Sequence, residues 1–158
     1  QQEKLTSKQI TQSFSQFKPA FGRQEIVTYR NKTVQLFLSK NPTSFNQSYI
    51  TIKELHAKFL LIVLNDRIPD GRDVSWIWDV DFEQIDLGVS ISVSGDRVYD
   101  MALRIKYAGL QEPKIYTDLK SAISENLKTI EKDDILYILP KYSAMLEVRK
   151  ILTGKKIL

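Results

Sequence analysis

Residues 58–64, KFLLIVL, decide the fold because they form a nearly continuous apolar run. A strand buried on both faces, as in a parallel sheet, has this composition, whereas a strand with one solvated face alternates. Each further predicted strand is followed by an amphipathic helical pattern. The strands are predicted at 89–93, 114–116 and 135–139, and the helices at 97–108, 118–127 and 143–152. Such alternation is typical of a parallel sheet with right-handed crossovers and helices on both faces.

The residues before this run add a hairpin and two helices. Residues 25–29 and 33–38 are rich in β-branched and aromatic side chains and are separated by Arg30-Asn31-Lys32, which predicts a β-hairpin. Helices are predicted at 6–17, ended by Pro19, and at 45–55. The sequence therefore predicts a single α/β domain over residues 1–158. Its architecture is a Rossmann-like three-layer sandwich with a mostly parallel sheet and the N-terminal β-hairpin at one edge.

The composition excludes several kinds of site. Cysteine is absent, which excludes a disulfide scaffold, a thiolate zinc site and a cysteine nucleophile within this sequence. One histidine, His56, is present, so a histidine-based metal cluster is impossible and no metal site is expected. A Ser-His-Asp triad within the chain would have to use His56, which lies in a predicted turn before a strand. We interpret it as a surface residue.

The charge and glycine patterns argue against binding of nucleic acid or of a nucleotide alone. The net charge is +4, but no basic stripe interleaves with aromatic side chains as single-strand binding requires. Neither GxGxxG nor GxxxxGK[ST] is present. No run of ~18–20 apolar residues, the length that spans a bilayer, occurs either. A carboxylate-bearing or phosphorylated ligand suits a mildly basic face better.

The segment 65–81, NDRIPDGRDVSWIWDVD, is the strongest candidate for a functional loop. It holds five carboxylates, two guanidinium groups and two tryptophans, Trp76 and Trp78. A solvated charged loop would be the ordinary interpretation, but exposed tryptophans are costly and are enriched at interface hot spots. Loops of this length in compact domains are often functional. The carboxylates could bind Mg²⁺, act as bases, or orient a histidine, which would then come from another chain.

Two further loops follow strands and are expected near this segment. In open sheets, ligands bind outside the carboxyl ends of the strands, and that rule selects residues 39–44 and 94–97 as well. Residues 39–44 carry Lys40 and hydroxyl groups before a helix N-terminus, which suits an anion. The alternative is an ordinary helix cap made by Thr43 or Ser44. Arg23 could contact a ligand or pair with a neighbouring carboxylate, and 94–97 is interpreted as a helix cap.

Five segments carry a resemblance to a known family. They are, in chain order, PAFGRQE (19–25), LSKNPTSFNQ (38–47), LNDRIPDGRDVSWIWDVDFE (64–83), SGDRVYDMALRIKYAG (94–109) and LPKYSAMLEVRK (139–150). Together they resemble the C-terminal domain of the MurT family, the Mur-ligase-like subunits of lipid II isoglutaminyl synthase. The central segment is the most specific, whereas GRQE and SKNP are similar to Mur ligase C-terminal domains in general.

The resemblance implies a role in peptidoglycan biosynthesis, and hence in cell shape, for the full-length protein. Subunits of this family pair with GatD, a glutamine amidotransferase that releases ammonia from glutamine. With ATP they activate the α-carboxylate of D-glutamate in the lipid II stem peptide. Ammonia then attacks the acyl phosphate and gives D-isoglutamine. The full-length enzyme would therefore be a glutamine-dependent amide ligase, cytoplasmic and acting at the inner face of the membrane.

The resemblance also implies roles for individual residues. The GatD site has a cysteine nucleophile and a histidine base, and its third member is an aspartate of the DGRD segment. We assign this catalytic role to Asp73, with Asp70 as the runner-up. Arg72, Trp76 and Trp78 are expected to lie at the GatD interface. By the same resemblance, Arg23, Lys40 and Asn41 would help to close over ATP.

The resemblance to a Mur-ligase-type C-terminal domain implies that the chain is a fragment. The central ATPase domain, which would bind ATP and Mg²⁺, is missing, so no cofactor and no ligase activity are expected of this chain alone. The alternative function is a non-catalytic module that docks a partner protein or a peptidoglycan precursor.

Overall fold

The computed structural model describes residues 6–16, 22–85 and 88–155 of the chain. The strands are β1 Arg23–Tyr29, β2 Lys32–Phe37, β3 Phe59–Val63, β4 Ser90–Ser94, β5 Lys114–Ile115 and β6 Ile135–Pro140. The helices are α1 Ser7–Gln16, α2 Pro42–Glu54, α3 Val98–Tyr107, α4 Leu119–Thr129 and α5 Tyr142–Thr153. The predicted end of the first helix, at Phe17 and Pro19, lies outside the described residues.

All six strands form one sheet in the order β1-β2-β6-β3-β4-β5. Strands β2, β6, β3, β4 and β5 run parallel, and β1 pairs antiparallel with β2 at the edge. The last strand in sequence, β6, thus lies between β2 and β3, and Leu61 of β3 stands opposite Ile138 of β6 and Ser92 of β4. The predicted fold class is confirmed, including the hairpin at one edge.

The hairpin turn needs only two residues because both adopt the left-handed conformation. Arg30 has φ 51° and Asn31 has φ 60°, values that match the twist of a two-residue turn between antiparallel strands. Strand β1 begins at Arg23, two residues before the predicted start, and an irregularity in the pairing lies between Arg23 and Glu25. This irregularity is centred on Gln24, whose φ is 57°.

Two apolar cores cover the two faces of the sheet. Helices α2 and α3 pack on one face and share their core with the segment that follows β3. Helices α4 and α5 pack on the other face against strands β2, β3 and β6. Strand β3 is buried on both sides, since Leu60 and Ile62 belong to the first core and Leu61 and Val63 to the second. Its continuous apolar run is explained by this position.

Helix α2 begins at Pro42, three residues earlier than predicted. Asn41 is the N-cap residue, and its side chain accepts a hydrogen bond from Ser44 N while the Ser44 side chain accepts one from Asn41 N. Proline is suited to the first turn of a helix because its missing N–H would have no intrahelical partner there. The predicted cap by Thr43 or Ser44 is therefore wrong, because both lie inside the first turn.

In the parts of the chain that the structure describes, no helix is long and apolar enough to cross a membrane.

Candidate functional site

The carboxyl ends of the parallel strands bring the three predicted loops to one edge of the sheet. Leu64 N donates to Ser94 O (3.1 Å), which joins the loops after β3 and β4. Ser39 N donates to Pro140 O (3.0 Å), which joins the loop after β2 to the end of β6. Because β1 runs antiparallel, its first residue, Arg23, also lies at this edge. The β6–α5 junction is a fourth segment here, and it was not among the three loops selected from the sequence as a ligand site.

The segment 65–85 is partly buried and is not a solvated loop. It forms three short 3-10 turns, at Ile68–Asp70, Ser75–Asp79 and Phe82–Gln84. Five of its apolar side chains belong to the core that α2 and α3 also line. They are Val74, Ile77, Val80, Phe82 and Ile85. Charged side chains face solvent between these anchors, so the charged residues are held on a rigid support.

Arg104 of α3 fixes the second half of this segment. The residue is 4% exposed, and its guanidinium donates to the backbone oxygens of Ile77 (3.1 Å) and Val80 (2.7 Å). It also pairs with Glu83 at 2.9 Å. This pairing lowers the pKa of the Glu83 carboxyl. Arg104 was not predicted from the sequence as a functional residue. It lies three residues after Met101, which was predicted to point inward, and this spacing places both on the same helix face.

Asp70 is committed to the N-terminus of α5. Its Oδ1 accepts from Ser143 N at 3.0 Å, and its Oδ2 forms a short hydrogen bond with the Ser143 hydroxyl. Since helix N-termini present backbone N–H groups without intrahelical partners, the carboxylate satisfies one of them. The runner-up for the catalytic role is thus occupied by a contact within the chain.

Asn65 links the three central loops of this edge. It is 1% exposed, its Nδ2 donates to Ser143 Oγ (3.0 Å) and its Oδ1 accepts from Asp96 N (3.0 Å). Gly95 is required beside it, because a Cβ at that position would lie 2.5 Å from Leu64 O and 2.7 Å from Asn65 Oδ1. Asp70, Ser143, Asn65 and the loop after β4 therefore form one continuous hydrogen-bonded chain.

Asp73 is exposed and ionised. Its Oδ1 accepts from Ser75 N at 2.7 Å, and this hydrogen bond, with help from the Ser75 side chain, lowers the pKa of the Asp73 carboxyl. A short hydrogen bond from the backbone two residues further along the chain is the geometry of an Asx turn. The carboxylate is therefore fixed in direction, charged at neutral pH and open to solvent.

The other carboxylates of the segment mostly have partners. Asp66 pairs with Arg97 (3.2 Å), and Arg97 also forms a two-pronged pair with Asp100. Asp81 exchanges hydrogen bonds with Asn46 of α2 at 2.7 and 3.1 Å. Arg67 binds both oxygens of Asp96 and also pairs with Glu147. Arg97 is the N-cap residue of α3, which agrees with the interpretation of 94–97 as a helix cap, although its side chain makes no cap hydrogen bond.

The residues predicted to lie at a partner interface differ in exposure. Trp78 is 50% exposed and meets Tyr107 of α3 edge-on, with 5.6 Å between ring centroids. Arg72 is exposed as well. Trp76 is partly buried and packs against the core, which suits a role in shaping the loop. Its ring lies 5.7 Å from Lys141 Nζ.

Lys141 is the buried cation beneath this segment. It is 2% exposed, and its Nζ donates to Gly71 O at 3.2 Å. Burial lowers the pKa of its ammonium group, and the charges of Asp70, Asp66 and Asp73 oppose that shift. A buried lysine is unusual unless it is paired, which the sequence alone could not reveal.

The predicted nucleotide residues lie at the start of β1 and immediately before α2. Arg23 lines a surface cavity of about 240 Å³ between the hairpin and α2, together with Ser44 and Ser48. Lys40 is exposed next to this helix N-terminus, and the Asn41 amide oxygen is used to cap α2. Within the described ranges, no cluster of histidine, cysteine, aspartate or glutamate could hold a metal ion.

His56 lies at the opposite end of the sheet. It follows α2 and precedes the first residue of β3, whereas the segment with Asp73 follows the last residue of that strand. It lines a separate surface cavity with Lys58 and Asp134. A carboxylate–histidine pair built from His56 and Asp73 is therefore excluded by geometry, and a histidine for Asp73 would have to come from outside these 158 residues.

Comparisons with known proteins agree with this architecture. A family model described as MurT ligase C-terminal matches residues 38–145. The chain is 40% identical, over 96% of its length, to lipid II isoglutaminyl synthase (glutamine-hydrolyzing) subunit MurT of Streptococcus pneumoniae. It is 30% identical, over 89% of its length, to the subunit of the same name from Staphylococcus aureus strain COL. The chain spans 34% and 32% of these two relatives, about a third of their length.

Solved structures with low sequence identity share the fold. Folylpolyglutamate synthase from Thermotoga maritima aligns over 96% of this chain and 35% of its own, with a TM-score of 0.62 and 16% identity. MurF ligase from the same organism, solved in complex with ADP, aligns over 90% of this chain and 35% of its own, with a TM-score of 0.55 and 11% identity. At these identities the likeness concerns the fold alone.

Proposed function

The chain belongs to the MurT family through its MurT ligase C-terminal domain, and from this premise we propose that it completes the active site of a partner glutaminase. The whole protein would be a subunit of lipid II isoglutaminyl synthase. That enzyme would use ATP and glutamine-derived ammonia to amidate the D-glutamate α-carboxylate of lipid II. The domain described here would dock the glutaminase subunit GatD and donate Asp73 to its site.

One observation carries the proposal: Asp73 is held in a fixed direction, ionised and exposed, on a rigid support. Its hydrogen bond from Ser75 N uses one oxygen and keeps the pKa of the carboxyl below its ordinary value. Asp70, three residues earlier, accepts a hydrogen bond from Ser143 N instead. The chain has one histidine, at the far end of the sheet, and no cysteine. These 158 residues therefore supply neither the nucleophile nor the base of a glutaminase site, and the proposal assigns both groups to GatD.

The chemistry follows from what a carboxylate does beside an imidazole. Asp73 would accept the N–H of the partner histidine, which fixes the ring tautomer so that the other nitrogen can take the thiol proton of the partner cysteine. The carboxylate would then stabilise the imidazolium that forms. Because the pKa of Asp73 is already lowered, it would remain charged and would not compete for that proton.

An exposed apolar stripe supports docking on the same side of the domain. Trp78 lies in the 3-10 turn that begins two residues after Asp73, and it packs on Tyr107 of α3. Tyr99 and Leu103 are also exposed and precede Tyr107 by eight and four residues on α3, which places the three on one helix face. Since aromatic residues are enriched at interface cores, we assign this stripe, with Arg72, to the GatD contact.

The nucleotide would be held mainly by a part of the full-length protein that this chain does not span. ATP with Mg²⁺ supplies phosphoryl activation of the substrate carboxylate when it is bound. The exposed cations Arg23 and Lys40 and the polar side chains of the 240 Å³ cavity suit a peripheral contact to an anion. Asn41 would contribute to this contact mainly by capping the N-terminus of α2. The isolated domain would be inactive as a ligase, and the full enzyme would act on lipid II at the inner membrane face.

The decisive experiment is glutamine hydrolysis by GatD mixed with the full-length subunit carrying Asp73→Asn. Asparagine is nearly isosteric but cannot stabilise the imidazolium, so turnover should fall by about 100-fold or more while complex formation stays intact. Asp79→Asn is the matched control, because Asp79 is an exposed carboxylate of the same segment. It should leave turnover unchanged.

Near wild-type turnover with Asp73→Asn would remove Asp73 from the glutaminase site. If Trp78→Ala then abolished assembly, the segment would be a docking module without a chemical role. Loss of turnover in both Asp73→Asn and Asp79→Asn would indicate that the net charge of the segment matters rather than one carboxylate.

A further inference from the structure

We propose that Lys141 is the positioning residue that sets Asp73 at the glutaminase interface, by holding the turn at residues 70–73 from below. This inference rests on the proposed function of Asp73. It assigns a role to a buried charge that the docking and catalytic roles leave unexplained. Lys141 does not touch the reacting groups and would act only through the turn.

The backbone of Lys141 is anchored at the centre of the sheet. Lys141 N donates to Val63 O (3.1 Å), which joins the end of β6 to the end of β3. Lys141 O accepts from Met145 N (2.8 Å), which starts α5. The base of the side chain is therefore fixed by both elements, and the ammonium group extends beneath the segment after β3.

The ammonium group holds the turn at a backbone atom rather than at a side chain. Nζ donates to Gly71 O at 3.2 Å and lies 5.7 Å from the centroid of the Trp76 ring. Gly71 has φ 76° and ψ 138°, a conformation that side-chain-bearing residues rarely adopt. Glycine can also adopt many other conformations, so contacts must fix this one, and the bond from Lys141 is one of them.

Ser143, two residues after Lys141, provides a second anchor for the same turn. Asp70 accepts hydrogen bonds from both the backbone and the hydroxyl of Ser143. Residues 70 and 71 are thus bound to residues 143 and 141, and Asp73 follows Gly71 by two residues. The position of Asp73 relative to the sheet is therefore set at the β6–α5 junction.

The charges around Lys141 give it a second effect on the same group. The charges of Asp70, Asp66 and Asp73 raise the pKa of the ammonium and so oppose the effect of its burial. In return, its positive charge contributes to the lowered pKa of Asp73, although less than the hydrogen bonds from Ser75. Removal of the charge would loosen the turn and also weaken the preference of Asp73 for its ionised form.

The test uses the full-length subunit in complex with GatD and the substitution Lys141→Met, which keeps the length of the side chain. Misplaced catalytic groups lose rate rather than affinity, so kcat for glutamine hydrolysis should fall on the order of 10- to 100-fold. The KM for glutamine and the affinity of the complex should change less than twofold. The acid limb of the kcat/KM profile should move to higher pH. Lys128→Met, at an exposed lysine of α4, is the matched control and should behave as wild type.

A double variant separates positioning from general damage to the fold. If Lys141 acts through Asp73, adding Lys141→Met to Asp73→Asn should cost no further activity, because coupled residues are not additive. The inference would be overturned if the fold-losses in kcat of the two single variants multiplied in the double variant. A wild-type kcat in Lys141→Met would overturn it as well. Lys141→Gln, which keeps a donor for Gly71 O but no charge, is measured as a second variant and carries the test alone if Lys141→Met unfolds. Its kcat should lie between that of the wild type and the loss expected for Lys141→Met. The acid limb should move to higher pH, and an unshifted limb would contradict the role of the charge.

The inference and the function on which it rests fail in different ways. Wild-type turnover in Asp73→Asn would contradict the role of Asp73, whatever Lys141→Met does. Loss of activity in Asp73→Asn with none in Lys141→Met would leave that role standing and overturn the role of Lys141.

Discussion

Asp70 and Asp73 show how two identical residues in one turn acquire different uses. The sequence ranked Asp73 first through a family resemblance and could not exclude Asp70 on physical grounds. The structure supplies the difference, because Ser143 binds Asp70 while Asp73 bonds only locally with Ser75. A contact over 73 residues of chain cannot be read from spacing, whereas the Asx turn at Asp73 is a local pattern that could have been predicted.

This difference predicts opposite rankings for stability and activity. Asp70→Asn removes charge-assisted hydrogen bonds to the N-terminus of α5 and should lower the free energy of unfolding of this chain by about 1–3 kcal/mol. Asp73→Asn keeps the acceptor for Ser75 N on an exposed side chain, so its effect on stability should be smaller. Urea unfolding followed by circular dichroism measures both values. A larger loss for Asp73→Asn would contradict the assignment of Asp70 as the structural member of the pair.

At the level of elements, the alternation of strands and helices could be predicted and the path of the segment 65–85 could not. Periodicity located each strand and helix to within a few residues, and the shift in the start of α2 came from the cap at Asn41. The segment 65–85 lacks a helical or strand period, because its apolar residues fill gaps between α2, α3 and the sheet. Tertiary packing, rather than local propensity, decides such a conformation.

Arg104 should carry much of the stability of this segment. Arg104→Met leaves the carbonyl groups of Ile77 and Val80 without their buried donor, at a cost of about 2 kcal/mol or more. Lys106→Met, at an exposed residue of the same helix, is the control and should change stability little. Thermal unfolding of the two variants measures the difference. Equal melting temperatures would show that the guanidinium contributes nothing net and that apolar packing alone holds the segment.

For the whole molecule, the fold class followed from the sequence but the order of the strands did not. A continuous apolar run identifies a central strand, and it placed β3 correctly. The insertion of β6 between β2 and β3 depends on which crossovers pack best, and that is a property of the assembled cores. The sequence predicted that three loops would lie at the carboxyl edge of the sheet, and they do. The contacts by which the buried residues Asn65, Arg104 and Lys141 hold these loops are visible only in the assembled structure.

The hydrogen-bonded carboxylates of the folded protein predict a loss of stability in acid. The pKa values of Asp73, Glu83, Asp100, Asp118 and Asp134 are all lowered by hydrogen bonds, from Ser75, Arg104, Arg97, Ser121 and Lys58 respectively. A carboxyl whose pKa is lowered on folding stabilises the protein above its unfolded pKa of about 4, and that stabilisation is lost as pH falls through the lower, folded value. Urea midpoints should therefore decrease from pH 6 to pH 3, and a flat profile would contradict this.

The position of β6 sets the order in which the domain can be completed during synthesis. Strand β2 meets no parallel neighbour until residues 135–140 have left the ribosome, although it is made about a hundred residues earlier. The turn that carries Asp73 waits still longer, since Lys141 and Ser143 follow that strand. Until then the nascent chain exposes the uncovered edges of β2 and β3, so the surface proposed for the glutaminase is among the last parts of the domain to form.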